Sequence, residues 1–268
     1  MIITGAEVNW QNNNWRKTEI IDIIHKPNPK ICTPLANIQF ANIPETIRDN
    51  AVGTNLQGTP VFCGGNLAAD PCLFPETSNP NCRRKQYSEK CFKFINGSWE
   101  EFTSMKKKRG NAAGIIYKNE WHIFGGWTQG PLDTNNHSTT TLSKTSEIIS
   151  QDGGVKKGPD LPTKFAHHAI TSINETVSIL SGGVLGMPHN GSLTWYYNHE
   201  TEKFTSGPHL LEGRSEHASA TIVDKGEEKE NIPIVAGGHG YGSNGDQWLE
   251  STEMLIDGQW QPGKGTKS

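Results

Sequence analysis

The chain has 268 residues, of which 33% are hydrophobic and 20% are charged, and its formal net charge is −3. It contains no run of about 18 apolar residues, which excludes a membrane-spanning helix. The near balance of 25 basic and 28 acidic residues gives no electrostatic reason for binding nucleic acid. The 29 Gly and 15 Pro predict frequent turns, and the 8 Trp and 9 Phe are too many for a disordered chain.

A β-branched or aromatic segment that ends in a pair of small residues recurs five times. Its copies are residues 2–6, 60–65, 121–127, 177–183 and 232–238. The second small residue of each copy is Ala6, Gly65, Gly126, Gly183 or Gly238. The repeat is therefore 55 to 61 residues long. A period of about 50 to 60 residues with several short strands per unit is typical of a β-propeller.

Three other segments keep phase with this pair. A small-residue segment with a polar start precedes it, at residues 48–53, 109–117, 166–173 and 214–223. A segment that often begins with Ser/Thr-Glu follows it, at residues 18–23, 88–94, 146–150, 194–198 and 251–256. A last segment carries Trp, Phe or Gly-Pro, at residues 97–102, 155–162, 203–210 and 258–263. Each repeat is thus predicted to form four strands, a to d, in an all-β fold without helical periodicity.

We predict one domain over residues 1–268, built from five repeats. The repeats span about residues 1–46, 47–105, 106–164, 165–212 and 213–268. The glycines that end strand b are predicted to adopt positive φ and to allow close backbone approach. These structural glycines are Gly64, Gly65, Gly125, Gly126, Gly182, Gly183, Gly237 and Gly238. Trp99 and Trp260 hold equivalent places in strand d, where we expect them to fill space between blades.

This pattern resembles the kelch repeat family over essentially the whole chain. The resemblance rests on the glycine pairs, on Ser/Thr-Glu in the next strand, and on Trp99 and Trp260. It departs from the family in repeat one, which has Gly5-Ala6, and in repeat four, whose strand c begins Thr194-Trp195 without the Glu. The resemblance implies a β-propeller of four-stranded blades whose b–c and d–a loops share one face. We expect a kelch protein without an attached ubiquitin-ligase adaptor domain, because nothing in residues 1–268 matches one.

The number of blades is a separate question. Repeat one begins at strand b, so the chain provides four complete blades and one of three strands. The kelch resemblance implies closure with six or seven blades, and an open ring would expose unpaired strand edges. We therefore expect either a five-blade or incomplete arrangement, or a fragment of a six-blade ring.

Four of the five cysteines cluster with the spacing C-x8-C-x9-C-x8-C. They are Cys63, Cys72, Cys82 and Cys91, while Cys32 stands apart. Structural zinc sites usually use C-x2–4-C pairs, which favours disulfides or free thiols here. The symmetric spacing favours Cys63–Cys91 and Cys72–Cys82, although spacing alone fixes no connectivity. Disulfides would indicate an extracellular protein and free thiols a cytoplasmic one; residues 1–10 show no signal-peptide pattern.

The candidate ligand-binding residues lie in or beside the b–c and d–a loops. They are Arg48, Arg109, Trp127, Arg214, His239, Tyr241 and Trp248. Exposed Trp, Tyr and Arg anchor interfaces, whereas the alternative is that they cover strand ends. The three arginines recur at the start of strand a. They form either a carboxylate-binding crown or repeat-encoded pairs with a Glu or backbone carbonyls of a neighbouring blade.

Signs of catalysis or metal binding are weak. His168 and His217 hold comparable strand-a positions in adjacent repeats, which favours structural histidines over a metal site. Ser150-Gln151-Asp152-Gly153 only partly matches the sialidase Asp-box, and no G-x-S-x-G, phosphate loop or H-E-x-x-H is present. We therefore predict neither enzymatic activity nor a bound cofactor or metal.

Three functions remain, in order of preference. The first is a non-enzymatic, monomeric kelch propeller that binds a protein or peptide through its b–c and d–a loop face. The second is a secreted, disulfide-stapled glycan or matrix binder. The third is a carbohydrate-active enzyme on a propeller scaffold. No nucleic-acid partner and no membrane insertion are expected.

Overall fold

The computed structural model describes residues 2–4, 18–20, 47–67, 86–132, 138–185, 191–223, 231–242 and 245–263. Every regular element within these ranges is a β-strand, which confirms the all-β prediction. No helix in the described part is long and apolar enough to cross a membrane. The chain divides into two compact units. Unit 1 comprises residues 1–110 and 129–140, and unit 2 comprises residues 111–128 and 141–268.

Unit 1 contains the described strands of the first two repeats. These are β1 (Ile2–Thr4), β2 (Thr18–Ile20), β3 (Ile47–Asp49), β4 (Val52–Leu56), β5 (Thr59–Cys63), β6 (Asn66–Leu67), β7 (Lys90–Ile95) and β8 (Ser98–Ser104). The order β4-β5-β7-β8 is an antiparallel four-stranded sheet, which matches the predicted strands a to d of repeat two. Two smaller sheets pair β1 with β2 and β3 with β6.

Unit 2 contains the four-stranded sheets of repeats three to five. The strands that follow β8 are β9 (Ala113–Tyr117), β10 (Glu120–Phe124), β11 (Trp127–Leu132), β12 (Ser138–Leu142), β13 (Ser146–Ile149), β14 (Val155–Lys157), β15 (Ala169–Ser172), β16 (Val177–Ser181), β17 (Thr194–Asn198), β18 (Lys203–Ser206), β19 (Arg214–Ser215), β20 (Ala218–Val223), β21 (Asn231–Ala236), β22 (His239–Gly242), β23 (Gly245–Trp248), β24 (Thr252–Ile256) and β25 (Gln259–Pro262). Their sheets are β9-β10-β13-β14, β15-β16-β17-β18 and β20-β21-β24-β25, each in the predicted a-to-d order. Two further sheets lie in the loops: the hairpin β11–β12 in the b–c loop of repeat three, whose residues fall in both units, and the sheet β19-β22-β23, which joins β19 of a d–a loop to the b–c hairpin β22–β23.

The glycine pairs join consecutive repeats. All eight glycines have φ between +62° and +98°, as predicted. The amide of Gly183 donates to the carbonyl of Arg214, at the start of the next repeat, over 2.8 Å. A Cβ on the preceding Gly182 would collide with that same carbonyl oxygen. The equivalent bond joins the amide of Gly65 to the carbonyl of Arg109 over 2.9 Å. Because glycine has no side chain, the backbones of consecutive repeats can approach closely enough to form these bonds.

Apolar side chains pack within and between these sheets. Trp99, 5% exposed, packs in unit 1 against Phe62, with ring centroids 4.7 Å apart. Trp260, 4% exposed, packs against Ile179 of the preceding repeat, which agrees with its expected place between blades. Its indole N–H donates to the carbonyl of Pro208 over 3.1 Å. Full burial of such a side chain contributes about 3 kcal/mol to folding.

One disulfide joins neighbouring strands in unit 1. Cys63 of β5 and Cys91 of β7 are directly opposed in the sheet, with Cα atoms 4.0 Å apart, and both are fully buried. The predicted Cys63–Cys91 pair is thereby confirmed. Cys32, Cys72 and Cys82 lie outside the described residues. The bond ties the two ends of the b–c loop of repeat two, residues 64–89.

Candidate functional site

The strand order places two kinds of connection at opposite ends of each four-stranded sheet. Strands a and c run one way and strands b and d the other, because all neighbours are antiparallel. The b–c and d–a loops therefore share one end, which we call the loop end. The a–b and c–d turns share the other, the turn end. The predicted common location of b–c and d–a loops holds for each sheet taken singly.

A row of polar side chains marks the starts of the three strands a in unit 2. Asn111, His167 and Glu216 each stand two residues before strand a, with φ of +54° to +58°. The amide of His167 donates to the carbonyl of Asn111 over 3.0 Å, and the amide of Glu216 donates to the carbonyl of His167 over 2.9 Å. These three residues, termed the polar chain, are thus connected through their backbones from one repeat to the next.

The side chains of the polar chain also meet. Nδ1 of His167 lies 3.0 Å from Nδ2 of Asn111 and 2.9 Å from Oε1 of Glu216. A proton on Nδ1 favours the carboxylate, while a lone pair there accepts from the amide, so the protonation of His167 selects its partner. The side chain of Glu216 is 48% exposed and that of His167 is 17% exposed. Ligand groups from solvent can therefore reach the carboxylate.

The b–c loop of repeat five carries three predicted ligand-binding residues on one hairpin. His239 of β22 is paired with Trp248 of β23, and their ring centroids are 5.2 Å apart in an edge-to-face arrangement. Trp248 is 74% exposed. Tyr241 lies on the same strand as His239, and its side chain is outside the described part. Ser215 of β19 pairs with His239, which brings the hairpin next to Glu216 of the polar chain.

Arg214 is a structural residue of repeat five. Its side chain has no exposed surface, and Nη2 lies 2.8 Å from Oε1 of Glu253, itself 3% exposed. Nη1 donates to the carbonyls of Gly237, over 2.8 Å, and Ser251, over 3.1 Å. The guanidinium thus ties the start of strand a to strands b and c. Nη2 also lies 3.5 Å from Oε2 of Glu212 in the d–a loop. This geometry supports structural pairing over an anion-binding crown, and the partners are Glu253 and backbone carbonyls of the same repeat together with Glu212 at the end of repeat four.

The other predicted residues are less accessible than expected. Arg109 is 1% exposed, so burial removes it, like Arg214, from the surface that a ligand could contact. Trp127 begins β11 at the loop end of repeat three and is half-buried. The side chain of Arg48, in β3, lies outside the described part. Of the predicted set, Trp248 is the clearly exposed anchor.

Four buried histidines in unit 2 are electrically neutral. Burial lowers the pKa of His122 and His199 to about 4, and that of His168 and His217 to about 3. Nε2 of His217 lies 3.0 Å from the hydroxyl of Ser181 in the preceding repeat. Among the described residues, no three His, Cys, Asp or Glu side chains are arranged to hold a metal ion. The packing of these histidines agrees with the structural role preferred for His168 and His217.

The partial Asp-box forms a tight turn at the turn end of repeat three. Oδ1 of Asp152 accepts hydrogen bonds from the hydroxyl of Ser150 and the amide of Gly154, and these bonds lower the pKa of the carboxyl group. A shallow open depression lies between this turn and Lys118–Glu120. The carboxylate stabilises its own turn, and this accounts for the Ser-x-Asp spacing.

Asn111, His167 and Glu216 are not among the binding residues predicted from the sequence. The three residues differ in type and share only a position relative to strand a and a positive φ. Alignment of the repeats on the first residue of strand a brings the three residues into register, whereas alignment on the glycine pair does not, because strands a and b of repeat five enclose a longer segment. The chemistry they share, a side chain that hydrogen-bonds to its neighbour, is apparent only from the structure.

Comparisons with known proteins identify the fold alone. No family model matches the chain, and no curated protein matches it. Among solved structures, the chain is similar to one described as "Structure of YjhT", with a TM-score of 0.64 over 85% of this chain and 74% of that chain. The two sequences are 12% identical. YjhT is a β-propeller, and the likeness thus places this chain, by fold, with all-β proteins of antiparallel four-stranded sheets.

Proposed function

We propose that the protein is a non-enzymatic, monomeric binding module, a propeller of kelch type that takes a protein or peptide ligand at the loop end of repeat five. The four-stranded sheets and the likeness to YjhT support the scaffold. The observation that carries the site is the exposure of Trp248 on the hairpin β22–β23. Large aromatic side chains at a surface loop are the groups that most often anchor a protein ligand.

Exposed apolar side chains favour this end of repeat five. Three large hydrophobic residues are exposed in the described part: Leu211 at 56%, Ile222 at 45% and Trp248 at 74%. Leu211 lies in the d–a loop and Trp248 in the b–c loop, so both belong to the loop end. Exposed apolar side chains beside polar groups are the usual composition of an interface.

The polar chain completes the proposed site. Ser215 pairs with His239, and the next residue, Glu216, contacts His167. Apolar Trp248 is thus flanked by groups that can donate or accept hydrogen bonds. A ligand that covers Trp248 would remove the indole surface from water. Hydrogen bonds to the neighbouring polar groups would fix the orientation of the ligand.

The test begins with random peptides displayed on phage and selected on the full chain. The affinity of the selected peptides is then measured for Trp248→Ala and for Ile222→Ala, which removes an exposed apolar side chain at the turn end of the four-stranded sheet of repeat five. We expect Trp248→Ala to weaken binding about tenfold or more and Ile222→Ala to leave it unchanged. Equal affinity for Trp248→Ala and the parent chain would refute this site.

The disulfide supports a second candidate, a secreted glycan or matrix binder. A buried Cys63–Cys91 bond persists in oxidising compartments and is rare in the cytosol. Alkylation without reductant, followed by intact mass measurement, should leave at least these two cysteines unmodified. Five alkylated cysteines would exclude this candidate. A glycan array probed with the parent chain and Trp248→Ala distinguishes a glycan ligand from a peptide.

A further inference from the structure

We propose that the ligand of this loop end is an extended peptide segment with basic side chains, which adds to the edge of β23. This inference rests on the proposed function and narrows its ligand class. The sheet β19-β22-β23 supplies the apolar anchor and the strand edge. The loops around it supply the charge that selects a basic partner.

The hairpin offers an edge on which a strand can form. Within the described residues, β23 pairs with β22 on one side and is the edge of its sheet. Gln247 and Trp248 on this strand are exposed. An edge strand presents backbone N–H and C=O groups that an extended peptide can pair with, as in β-strand addition. Peptide residues opposite Trp248 would then lie against its indole.

The charge around the hairpin is negative. The two loops of repeat five, residues 207–217 and 237–251, contain Glu212, Glu216, Asp246 and Glu250, and Arg214 is their single Lys or Arg. The side chains of Glu212 and Glu216 are 47% and 48% exposed. Arg214 is buried and pairs with two carboxylates, Glu253 at 2.8 Å and Glu212 at 3.5 Å, so its single positive charge does not balance the acidic residues of the two loops. The accessible charge is therefore carboxylate.

An indole beside carboxylates suits a basic side chain better than a neutral or acidic one. Guanidinium and ammonium groups bind the face of Trp and pair with carboxylates, and Arg does so bidentately. Glu216 follows β19, at the other edge of the three-stranded sheet, and exposed Glu250 stands two residues after Trp248, so an acidic peptide would meet like charge on both sides of the hairpin. Charge complementarity thus points to Lys or Arg in the segment that pairs with β23.

The composition of the selected peptides gives the first test. We expect those that require Trp248 to be enriched in Lys and Arg relative to the unselected library. Peptides that require Trp248 without such enrichment would overturn the basic-ligand inference and leave the proposed function intact. Peptides that bind Trp248→Ala as well as the parent chain would defeat the proposed function itself.

Matched charge variants give the second test. Glu216→Gln removes a carboxylate beside the hairpin, while Glu175→Gln removes one from the exposed a–b turn of repeat four. By fluorescence anisotropy with a selected peptide, we expect Glu216→Gln to raise Kd about five- to tenfold and Glu175→Gln to leave it unchanged. Equal changes in both variants would show general charge attraction and contradict local pairing. Melting curves of both variants establish that each is folded.

Discussion

Buried histidines make the stability of unit 2 depend on pH. The pKa of His122, His199, His168 and His217 lies at about 3 to 4 in the folded chain, against 6.5 for the ordinary side chain, because burial disfavours the charged ring. Below pH 6.5 these histidines therefore bind protons in the unfolded chain but stay neutral in the folded chain. Their stabilising contribution is complete above pH 6.5 and is lost as the pH falls towards 3.

Urea unfolding at pH 7.5 and pH 5 tests this dependence. Each neutral histidine is expected to lower the free energy of unfolding by about 1.4 kcal/mol for each pH unit below 6.5. Hydrogen bonds lower the pKa of Asp152 and Asp160, so these carboxylates affect stability at a more acidic pH. The change between pH 7.5 and pH 5 is therefore expected from the histidines. A free energy of unfolding that is the same at both pH values would contradict the buried-histidine account.

His122→Phe is the matched control for that experiment. Both ring nitrogens of His122 are buried with no hydrogen-bond partner among the described residues, and the rings of His199, Tyr197 and Phe124 lie near it. An apolar ring removes the desolvation cost, so stability at pH 7.5 is expected to be equal or higher. The change in the free energy of unfolding between pH 7.5 and pH 5 should be smaller than in the parent chain by the contribution of one histidine. A variant that is much less stable at pH 7.5 would indicate a partner for this ring.

The buried pair of Arg214 and Glu253 gives a residue-scale prediction about stability. Arg214→Met leaves the Glu253 carboxylate buried without its counter-charge, which costs about 3–5 kcal/mol. Repeat four shows how both members can be replaced together, because Phe165 and Trp195 hold the equivalent positions. The double change Arg214→Phe with Glu253→Trp should therefore recover part of the loss. Denaturant unfolding of Arg214→Phe, Glu253→Trp and the double variant measures this, and a loss in the double variant equal to the sum of the two single losses would argue against coupling.

At the scale of elements, the glycine pair accounts for the repeat. A Cβ on Gly183 would approach the carbonyl of Ala166 and the side chain of His168, and φ is +94°. On Gly258, in the c–d turn of repeat five, φ is +71° and nothing lies within 4 Å. Gly258→Ala thus reports backbone strain alone, about 1 kcal/mol. Gly183→Ala should cost at least about 2 kcal/mol more, since steric overlap is added. Equal losses in thermal unfolding would remove the close-approach explanation.

The strands could be predicted from the sequence because their signals are local. The apolar runs before each glycine pair set strand b, and the Ser/Thr-Glu and Trp segments set strands c and d, in the order that the four sheets show. The sequence predicts a loop where the structure has the hairpin β22–β23. Gly240 and Gly242 alternate with larger residues there, a composition that disfavours isolated strands. Its pairing with β19 supplies the tertiary context that stabilises it.

The site could be predicted only in part. Trp248 and His239 were identified as loop residues of the right chemical type, and they meet. The recurrence of arginine at the start of strand a predicts either a carboxylate-binding crown or structural pairing for Arg214, but not the identity of its partner, because Glu253 stands 39 residues further along the chain. Such a buried pair leaves no local signal in the sequence.

At the scale of the whole molecule, the disulfide is the main covalent constraint in the described residues. Cys63–Cys91 closes a loop of 28 residues, which should stabilise the folded chain by about 3.5 kcal/mol through the entropy of the unfolded state. The double variant Cys63→Ala with Cys91→Ala is expected to lower the thermal midpoint in nonreducing buffer. Adding reductant should lower the midpoint of the parent chain but not that of the variant. A parent midpoint equal to that of the variant would show that the bond adds no stability.

The central claim is that the loop end of repeat five binds the ligand, and hydrogen–deuterium exchange tests it most directly. Exchange of the full chain is measured with and without a peptide selected on that chain. Binding at the proposed site predicts slower exchange in residues 207–217 and 237–251, which hold the d–a loop and the hairpin. Slower exchange confined to the turn ends, such as residues 173–177 and 257–259, with none at the hairpin, would contradict the claim.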